Sequence, residues 1–413
     1  MTIAILGYGK EGKSVENYFK NKGKDTKVFD NFSEEELKTF NLKPYEMVFR
    51  SPGVKPFDKT WSSSTKYFFD NCICPIIGVT GTKGKGTTCS MIAAILKTLG
   101  KTVYLVGNIG NPSLDILDKL QPTDVVVYEM SSFQLWDLGL SPNIAVVLRI
   151  EPDHLNVHKD FDDYVNAKSH ITEFQTKKDF CIYFQNNPDS KRIADKSPGK
   201  KYTYPISNPS PLLTKILDSL NVPGEHNREN AEAALLACAT FSKLSLDEFL
   251  AKNQDSLIDA LSRFEGLPHR CQFLRELNNV KYYDDNFSTT IPSLEVALKA
   301  FPKENKVLIL GGRDKTHGEN YPKIIKLLKA SQNIKTVVLI GESGHDIFKQ
   351  YKDSGLDFVL AESLKEAVDI AKREAEKKSP SIVLMSPAAA SFDMFENVYD
   401  RGEKYQNLIK NLK

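Results

Sequence analysis

The sequence has 413 residues, 41% of them hydrophobic and 26% charged, which predicts a globular protein of about two to four domains. Its 55 basic and 53 acidic side chains nearly cancel to a net charge of +2, so we expect no nucleic-acid partner. No apolar run reaches the roughly 18 residues that cross a bilayer, and no CxxC pair occurs among the cysteines, so we expect a cytoplasmic protein without membrane insertion.

Strands and helices alternate in the first 74 residues. Apolar runs predict strands at 3–6, near 28–30 and at 47–49, and a helical pattern follows the first strand as far as Phe19. Because this alternation is typical of a parallel sheet, residues 1–74 are predicted to form a Rossmann-like N-terminal domain.

The alternation begins again twice further along the chain. Residues 75–265 are predicted to form a central P-loop ATPase-type domain with a parallel sheet, and residues 266–413 a Rossmann-like C-terminal domain. The predicted strands are 74–79, 103–106, 125–128, 144–148, 280–283, 307–310, 337–340 and 382–385. The predicted helices are 87–99, one from about Asn227, 292–300, 321–330, 363–377 and one from about Phe392. The stretch 187–223 is rich in Pro, Ser and Asn and is expected to be irregular in part. The fold class is therefore predicted to be α/β, with three domains.

The strongest single motif is a glycine-rich loop between a predicted strand and a predicted helix. It comprises Gly81, Thr82, Lys83, Gly84, Lys85, Gly86 and Thr87. In this context the glycines let backbone N–H groups approach phosphate oxygens, and the helix N-terminus favours the phosphate charge. We expect the loop to bind ATP, with Lys85 on the β- and γ-phosphates and a hydroxyl of Thr87 or Thr88 on Mg²⁺. An ordinary glycine-rich turn is the alternative, because Val79 stands where the standard motif has its first glycine.

This loop and a second motif resemble a known family. The loop is similar to the ATP loop of the Mur ligases and of the folylpolyglutamate synthases, and Gly86 is more similar to the second group. The segment from Glu129 to Gln134 resembles the ESSFQL motif of the glutamate-adding branch of the Mur ligases. A carboxylate at the end of a strand beside a nucleotide also suits Mg²⁺, so Glu129 is a predicted metal ligand. Ser132 of this motif is predicted to bind the substrate.

A third segment resembles the family's metal-binding motif. His154 follows an aspartate, and Lys168 follows His154 at about the family's spacing. The resemblance implies that His154 supports a second Mg²⁺ and that Lys168 is carbamylated by CO₂ into a metal-binding carboxylate. The predicted metal ligands are Thr87, Glu129, His154 and Lys168, and the predicted catalytic residues are Lys85, Glu129, His154 and Lys168. Without the resemblance, Lys168 is expected to be an ordinary lysine on the surface of a helix. Asn156 departs from the family, which usually has aspartate there.

Further nucleotide contacts are predicted on both sides of residue 266. Asn227 and Asn230 lie three residues apart, hence on one helical face, and their amides suit the edge of adenine. An N-cap is the alternative for Asn227. By resemblance, Arg270 contacts the γ-phosphate and Asp285 the ribose of ATP.

The acceptor amino acid is assigned by resemblance to the C-terminal block. Lys315 in Gly-Gly-Arg-Asp-Lys is similar to the lysine that meets the acceptor carboxylate, while Ser391 and Phe392 belong to a stretch that closes over the acceptor. The D-glutamate ligases of the family usually have lysine at the position of Phe287. The resemblance therefore implies glutamate as acceptor, with D-glutamate expected and L-glutamate the alternative.

The N-terminal glycine motif has two interpretations. Gly7-Tyr-Gly9-Lys10-Glu-Gly12 precedes a predicted helix, and Asp30 follows after the next strand, as in a dinucleotide-binding loop. In the glutamate-adding Mur ligases the corresponding loop holds the UDP of the substrate. The predicted substrate-binding residues of this region are Gly9, Lys10, Asp30, Ser51, Pro52, Gly53 and Asn108.

Taken together, the resemblance implies an ATP-dependent amide ligase, expected to be monomeric, that uses two Mg²⁺ ions and a carbamylated lysine. It would add glutamate to UDP-N-acetylmuramoyl-L-alanine through an acyl phosphate, in peptidoglycan precursor synthesis. The alternatives are a folylpolyglutamate-type ligase, an NAD-dependent oxidoreductase and a nucleotide-dependent binding module. The oxidoreductase leaves the second glycine loop, Glu129 and Lys168 without a role, and the folate-type ligase gives no reason for the ESSFQ segment.

Overall fold

The computed structural model describes residues 2–314 and 318–413. Its first sheet contains four parallel strands in the order β2-β1-β3-β4. The strands are β1 (Thr2–Leu6), β2 (Asp25–Phe29), β3 (Met47–Arg50) and β4 (Ser62–Ser63). The helices are α1 (Lys10–Asn21), α2 (Glu34–Thr39) and α3 (Ser64–Asn71). Since β1 is central and almost wholly buried, its carboxyl end and the start of α1 form the ligand-facing edge that the glycine motif predicts.

The second sheet has six parallel strands in the order β10-β9-β8-β5-β7-β6. They are β5 (Ile76–Thr80), β6 (Val103–Gly107), β7 (Val125–Glu129), β8 (Ile144–Val147), β9 (Phe180–Phe184) and β10 (Lys200–Tyr204). The helices are α4 (Lys85–Thr98), α5 (Leu114–Leu117), α6 (Ser132–Leu135), α7 (Phe161–Glu173), α8 (Pro188–Asp195), α9 (Pro211–Asp218), α10 (Glu225–Phe241) and α11 (Leu246–Ser262). The strand order reverses at β5, which lies between β7 and β8, and ligands of such sheets bind where the order reverses.

The stretch 187–223 is more regular than its composition predicts, because it contains α8, β10 and α9. Asn187 caps α8 by accepting a hydrogen bond from the backbone of Ser190, and Pro188 occupies the first turn. Ser210 and Pro211 begin α9 in the same way. Polar residues and prolines also occur in loops, but here they start helices.

The third sheet has six strands in the order β11-β12-β16-β13-β14-β15. They are β11 (Gln272–Leu277), β12 (Val280–Asp284), β13 (Asn305–Gly311), β14 (Ile334–Ile340), β15 (Phe358–Leu360) and β16 (Ser381–Met385). The helices are α12 (Ile291–Lys299), α13 (Tyr321–Ala330), α14 (Gly341–Tyr351), α15 (Leu364–Glu376) and α16 (Val398–Lys410). All neighbours are parallel except β11 and β12, an antiparallel pair that the sequence did not predict. Asn278 and Asn279 join this pair with positive φ, the conformation of a two-residue hairpin turn.

The last helix begins later than predicted, at Val398 rather than near Phe392. The side chain of Asn397 accepts hydrogen bonds from the backbone of Tyr399 and Asp400 and so fixes the start of α16. The segment before it is a turn in which Phe392 is exposed. The N-cap at Asn397 thus lies five residues after the predicted start of the helix.

The predicted α/β class is confirmed, and the chain forms two compact units. The first comprises Met1–Leu220 with Arg228–Arg263, and the second comprises Asn221–Asn227 with Phe264–Lys413. The first two sheets share one unit, so the three predicted domains, with boundaries at 74/75 and 265/266, remain a prediction. Within residues 2–314 and 318–413, none of the helices is both long and apolar enough to cross a bilayer.

Candidate functional site

The glycine-rich loop joins the buried strand β5 to α4, as the sequence predicts. Gly81 and Gly84 both have positive φ, which side-chain-bearing residues rarely adopt. A Cβ atom on Gly84 would also lie 2.6 Å from Oδ1 of Asn230, so the loop and α10 pack too closely for any other residue. Lys85 begins α4, and the helix N-terminus therefore faces the interior of the loop.

Lys85 is anchored by the loop itself. Its Nζ donates hydrogen bonds to the carbonyl oxygens of Gly81 (3.0 Å) and Thr82 (3.1 Å). Burial lowers the pKa of Lys85, while the negative charge of Glu129 acts in the opposite direction. Lys83 is different, since its side chain is 81% exposed and 3.9 Å from the Asp153 carboxylate. Of these two lysines, Lys85 is thus the one whose side chain the loop holds in place.

The two threonines after the loop have different surroundings. The hydroxyl of Thr88 is buried and donates to Oδ1 of Asn230 at 3.3 Å. Thr87 is only partly buried. Since Thr88 is engaged with α10, Thr87 is the hydroxyl of this pair that is better placed to meet a ligand. The contact also places Asn230 against the phosphate loop.

Lys168 lies under the same loop. It is on α7, 1% exposed, and its Nζ is 3.0 Å from the carbonyl oxygen of Gly81 and 3.4 Å from Oγ1 of Thr80. Burial lowers the pKa of Lys168 well below its usual value, and the nearby charge of Lys85 lowers it further. The alternative of an ordinary lysine on the helix surface is therefore wrong.

Glu129 ends β7 beside the loop and is 5% exposed. Its Oε1 accepts a hydrogen bond of 2.9 Å from Nδ2 of Asn108, and its backbone carbonyl accepts another from the Asn108 N–H. The predicted metal ligand and a predicted substrate-binding residue are thus in direct contact. Their contact lies where β6 and β7 end, close to the start of α4.

His154 lies on the loop after β8, with a positive φ of 55° and a side chain that is half exposed. Its Nε2 is 3.8 Å from the Asp153 carboxylate, and its ring meets the Phe133 ring at 5.0 Å. No group of three or more His, Cys, Asp or Glu side chains that could hold a metal occurs in 2–314 or 318–413. Any metal at this site would therefore need ligands beyond these four residue types.

Ser132 is almost fully buried, and sequence reasoning missed its main partner, His158. The Ser132 hydroxyl is 3.0 Å from Nε2 of His158, whose Nδ1 is 3.0 Å from the Asp163 carboxylate. The His158 ring stacks on Phe133 and packs against Trp136. The sequence signal that could have found it is a second histidine four residues after His154, with Asp163 five residues further on. His158 thus fixes the segment that follows Glu129.

The N-terminal glycine motif also forms a tight loop. The Ser51 hydroxyl donates to the Gly7 carbonyl at 2.6 Å, and a Cβ on Gly12 would lie 2.2 Å from the same oxygen. Asp30 accepts from the Tyr8 N–H at 3.0 Å. The remaining predicted residues lie around this loop. Gly9 has open space beside it, and Lys10 Nζ donates to the Gly110 carbonyl at 2.8 Å. Pro52 and Gly53 form a partly exposed turn.

The second unit contains three predicted nucleotide contacts, which differ in exposure. Asp285 is buried and accepts hydrogen bonds from the Cys271 N–H (3.1 Å) and the Ser386 hydroxyl (2.8 Å), and burial raises its pKa to about 6. Arg270 is exposed, with its guanidinium carbon 5.6 Å from the centroid of the Phe287 ring. Asn227, also in this unit, donates to the Pro223 carbonyl at 2.6 Å.

A cavity of about 400 Å³ opens at the carboxyl edge of the third sheet. Its lining includes Thr289, Thr290, Arg313, Asn320, Tyr321 and Ala390. Next to this lining, Ser391 is 1% exposed, and its hydroxyl has no hydrogen-bond partner among the residues that the structure describes. Phe392 is 63% exposed, and Lys315 lies outside the described residues.

Comparisons with known proteins agree with this geometry. The profile described as Mur ligase middle domain matches residues 79–238, and that described as Mur ligase, glutamate ligase domain, matches residues 269–389. The UDP-N-acetylmuramoylalanine--D-glutamate ligase of Clostridioides difficile is 32% identical, over 100% of this chain and 98% of its own length. The enzyme of the same name from Acetivibrio thermocellus is 30% identical, over 99% of this chain and 96% of its own length.

Solved structures show the same fold at lower identity. The UDP-N-acetylmuramate-alanine ligase MurC of Thermotoga maritima superposes with a TM-score of 0.59, at 19% identity and over 100% of both chains. The MurF ligase of the same organism, solved in complex with ADP, has a TM-score of 0.59 at 15% identity, over 99% of this chain and 95% of its own. At these identities the likeness concerns the fold alone.

Proposed function

This chain belongs to the Mur ligase family, and from that membership we propose that it is an ATP-dependent ligase that joins D-glutamate to UDP-N-acetylmuramoyl-L-alanine in peptidoglycan precursor synthesis. The observation that carries the proposal is the phosphate loop with two lysines beneath it, Lys85 and Lys168, beside the carboxylate of Glu129. Loops of this form bind nucleotide phosphates, and a ligase needs a phosphate donor because amide formation in water is uphill.

The reaction would proceed in two steps. An oxygen of the alanyl carboxylate attacks the γ-phosphorus of ATP, ADP leaves, and an acyl phosphate forms. The amine of glutamate then attacks the acyl carbon, phosphate leaves and the amine loses a proton. Lys85 and Arg270 would stabilise the charge on the transferring phosphoryl group. Asn227 and Asn230 would contact adenine, and the remaining loop residues would donate backbone N–H groups to the phosphates.

The side chains of this site could hold two Mg²⁺ ions only if the phosphate oxygens of ATP and water supplied further ligands. Glu129, Thr87 and His154 are the side chains that would face the metals, and Mg²⁺ commonly takes few protein ligands and completes its shell with phosphate oxygens and water. Bound there, Mg²⁺ would neutralise phosphate oxygens during transfer. Glu129 is held ready by Asn108, and Thr87 carries the less buried hydroxyl after the loop.

Lys168 would supply a further oxygen ligand as a carbamate. Its amine adds to CO₂, a C–N bond forms and one proton is released, leaving a carboxylate on the side chain. Only the uncharged amine is nucleophilic, and burial favours the uncharged form of Lys168. The neighbouring charge of Lys85 would stabilise the anionic product. The support for this proposal is the burial of Lys168 beside the loop.

The substrates would bind at two other edges. The N-terminal loop would hold the UDP group, with Asp30 at uracil and with Gly9, Lys10, Ser51, Pro52, Gly53 and Asn108 around the diphosphate. Ser132, fixed by His158, would orient the segment beside the muramoyl group. The cavity of the second unit would hold glutamate, with Ser391 and Phe392 at its rim. Lys315 would bind the acceptor carboxylate. Asp285 would contact the ribose of ATP. We further propose that the protein acts as a monomer in the cytoplasm.

A phosphate-release assay tests this function. The protein is supplied with Mg-ATP, UDP-N-acetylmuramoyl-L-alanine and a panel of D- and L-amino acids. We expect release that requires both the UDP substrate and D-glutamate. Equal release with the UDP substrate omitted, or release with a folate substrate and L-glutamate instead, would contradict the proposal.

A further inference from the structure

The aromatic ring of Phe287 lies against the exposed side chain of Arg270. Phe287 follows β12, and its backbone N–H donates to the His269 carbonyl at 3.1 Å. The guanidinium carbon of Arg270 is 5.6 Å from the ring centroid, within the range of a cation–π contact. The edge of the Tyr399 ring meets the same ring at 5.2 Å.

His269 also packs against this ring and is itself fixed. Its ring centroid is 5.1 Å from that of Phe287, and its Nδ1 is 2.7 Å from the buried carboxylate of Asp284. The same carboxylate accepts from Gln406. A Cβ on Gly402 would lie 2.4 Å from the His269 ring, so the lack of a side chain there makes room for the imidazole. The ring of Phe287 is therefore packed against a rigid neighbour.

The aromatic face of Phe287 is the contact that the structure records for the Arg270 guanidinium. Within residues 2–314 and 318–413, no hydrogen bond or ion pair of this guanidinium accompanies it. An aromatic face attracts the cation without using its N–H groups. The contact would limit the rotamers of a long side chain while all five donors stay free for an anion.

We propose that Phe287 is a positioning residue that holds Arg270 ready for the terminal phosphate of ATP. The inference rests on the proposed function, in which Arg270 meets that phosphate. It also gives a physical role to the departure at this position, where the family usually has lysine. A lysine would place a second positive charge beside the Arg270 guanidinium, whereas phenylalanine offers a neutral surface. Phe287 is not part of the cavity lining, and its recorded ring contacts are with His269, Arg270 and Tyr399.

The test is a double-mutant cycle on the KM for ATP. Phe287→Leu removes the aromatic face and is expected to raise this KM about two- to tenfold, the range of a cation–π contact, with the KM for glutamate unchanged. Phe287→Trp keeps the face and should leave the KM for ATP near that of the unchanged protein. In the Arg270→Ala background, Phe287→Leu should have no further effect, because its partner is gone.

Two controls separate the possible failures. Phe57→Leu removes an exposed ring of the first unit, whose centroid lies 5.8 Å from Lys38 Nζ, and should leave the KM for ATP unchanged. An unchanged KM in Arg270→Ala would overturn the role of Arg270 in the proposed function. A large effect of Arg270→Ala with no effect of Phe287→Leu, or equal effects of Phe287→Leu in both backgrounds, would overturn the positioning role alone. If Phe287→Leu does not fold, Phe287→Met takes its place in the cycle. A KM for ATP that rises equally in Phe287→Trp and Phe287→Met would overturn the positioning role, because the aromatic face would then make no difference.

Discussion

Lys168 donates a hydrogen bond of 3.0 Å to the carbonyl oxygen of Gly81, although the two residues are 87 positions apart. The same carbonyl accepts from Lys85 at 3.0 Å. Burial lowers the pKa of Lys168 well below its usual value, and the nearby charge of Lys85 lowers it further, so the fold favours the neutral form of Lys168. One lysine is thus suited to hold phosphate and the other to react as an amine.

The first prediction concerns Lys85. Lys85→Ala should lower turnover at least about a hundredfold, or about 3 kcal/mol, because the loop loses the cation that it holds for the phosphates. Phosphate release in the complete reaction measures this loss. Lys83→Ala is the matched control, since Lys83 is 81% exposed, and its loss should be small. Near-normal release by Lys85→Ala would exclude this loop as the ATP site.

The second prediction concerns Lys168. Lys168→Ala should be nearly inactive, and a short-chain carboxylic acid should restore part of the activity by taking the place of the carbamate. Activity is measured with and without the added acid. Lys177→Ala, an exposed lysine beyond the end of α7, provides the control and should behave like the unchanged protein. Full activity of Lys168→Ala without the acid would mean that no carbamate is needed.

The third prediction concerns Asp30. Asp30→Ala should raise the KM for the UDP substrate and leave that for ATP nearly unchanged, because Asp30 lies at the N-terminal glycine loop and accepts from Tyr8. Steady-state kinetics with each substrate varied in turn measure both constants. A raised KM for ATP, with the UDP substrate unaffected, would contradict this division between the two loops.

The fourth prediction concerns pH and Asp285. Burial raises its pKa to about 6, so the folded protein binds this proton more tightly than the unfolded chain, whose pKa is about 3.9. The associated stability is present below about pH 4 and is lost as the pH rises through 6, by up to about 3 kcal/mol. Asp285→Asn should remove this part of the pH dependence. Urea unfolding of both proteins at several pH values between 4 and 7 measures the difference, and parallel profiles would refute it.

The fifth prediction concerns the acceptor. Lys315→Ala should raise the KM for glutamate steeply while ATP binding persists, since a charge-assisted hydrogen bond to the carboxylate is lost. D-glutamate should have the higher kcat/KM in a side-by-side comparison with L-glutamate. Phe287→Lys should not change that preference, because Phe287 faces Arg270 and lies outside the cavity lining. A better kcat/KM for L-glutamate would refute the assignment of the acceptor.

The sequence by itself determined the features that depend on residues close together in the chain. The strand, glycine loop and helix from Ile76 to Thr98 are contiguous, so their pattern predicts a phosphate loop without any knowledge of the fold. Buried parallel strands appear as apolar runs, which is why the α/β class was predictable. The prediction failed where polar residues serve as helix caps, as at Asn187 and Ser210, because loops and caps use the same residue types.

Only the tertiary structure decided which distant side chains meet. Lys168 has the pattern of a surface lysine, and its burial depends on α7 packing beneath a loop that lies far away in the sequence. The pairing of Ser132 with His158, and that of Arg270 with Phe287, likewise join separate segments. Whether a titratable side chain is buried, paired or exposed depends on the strand order that brings these segments together. No local sequence pattern predicts that order.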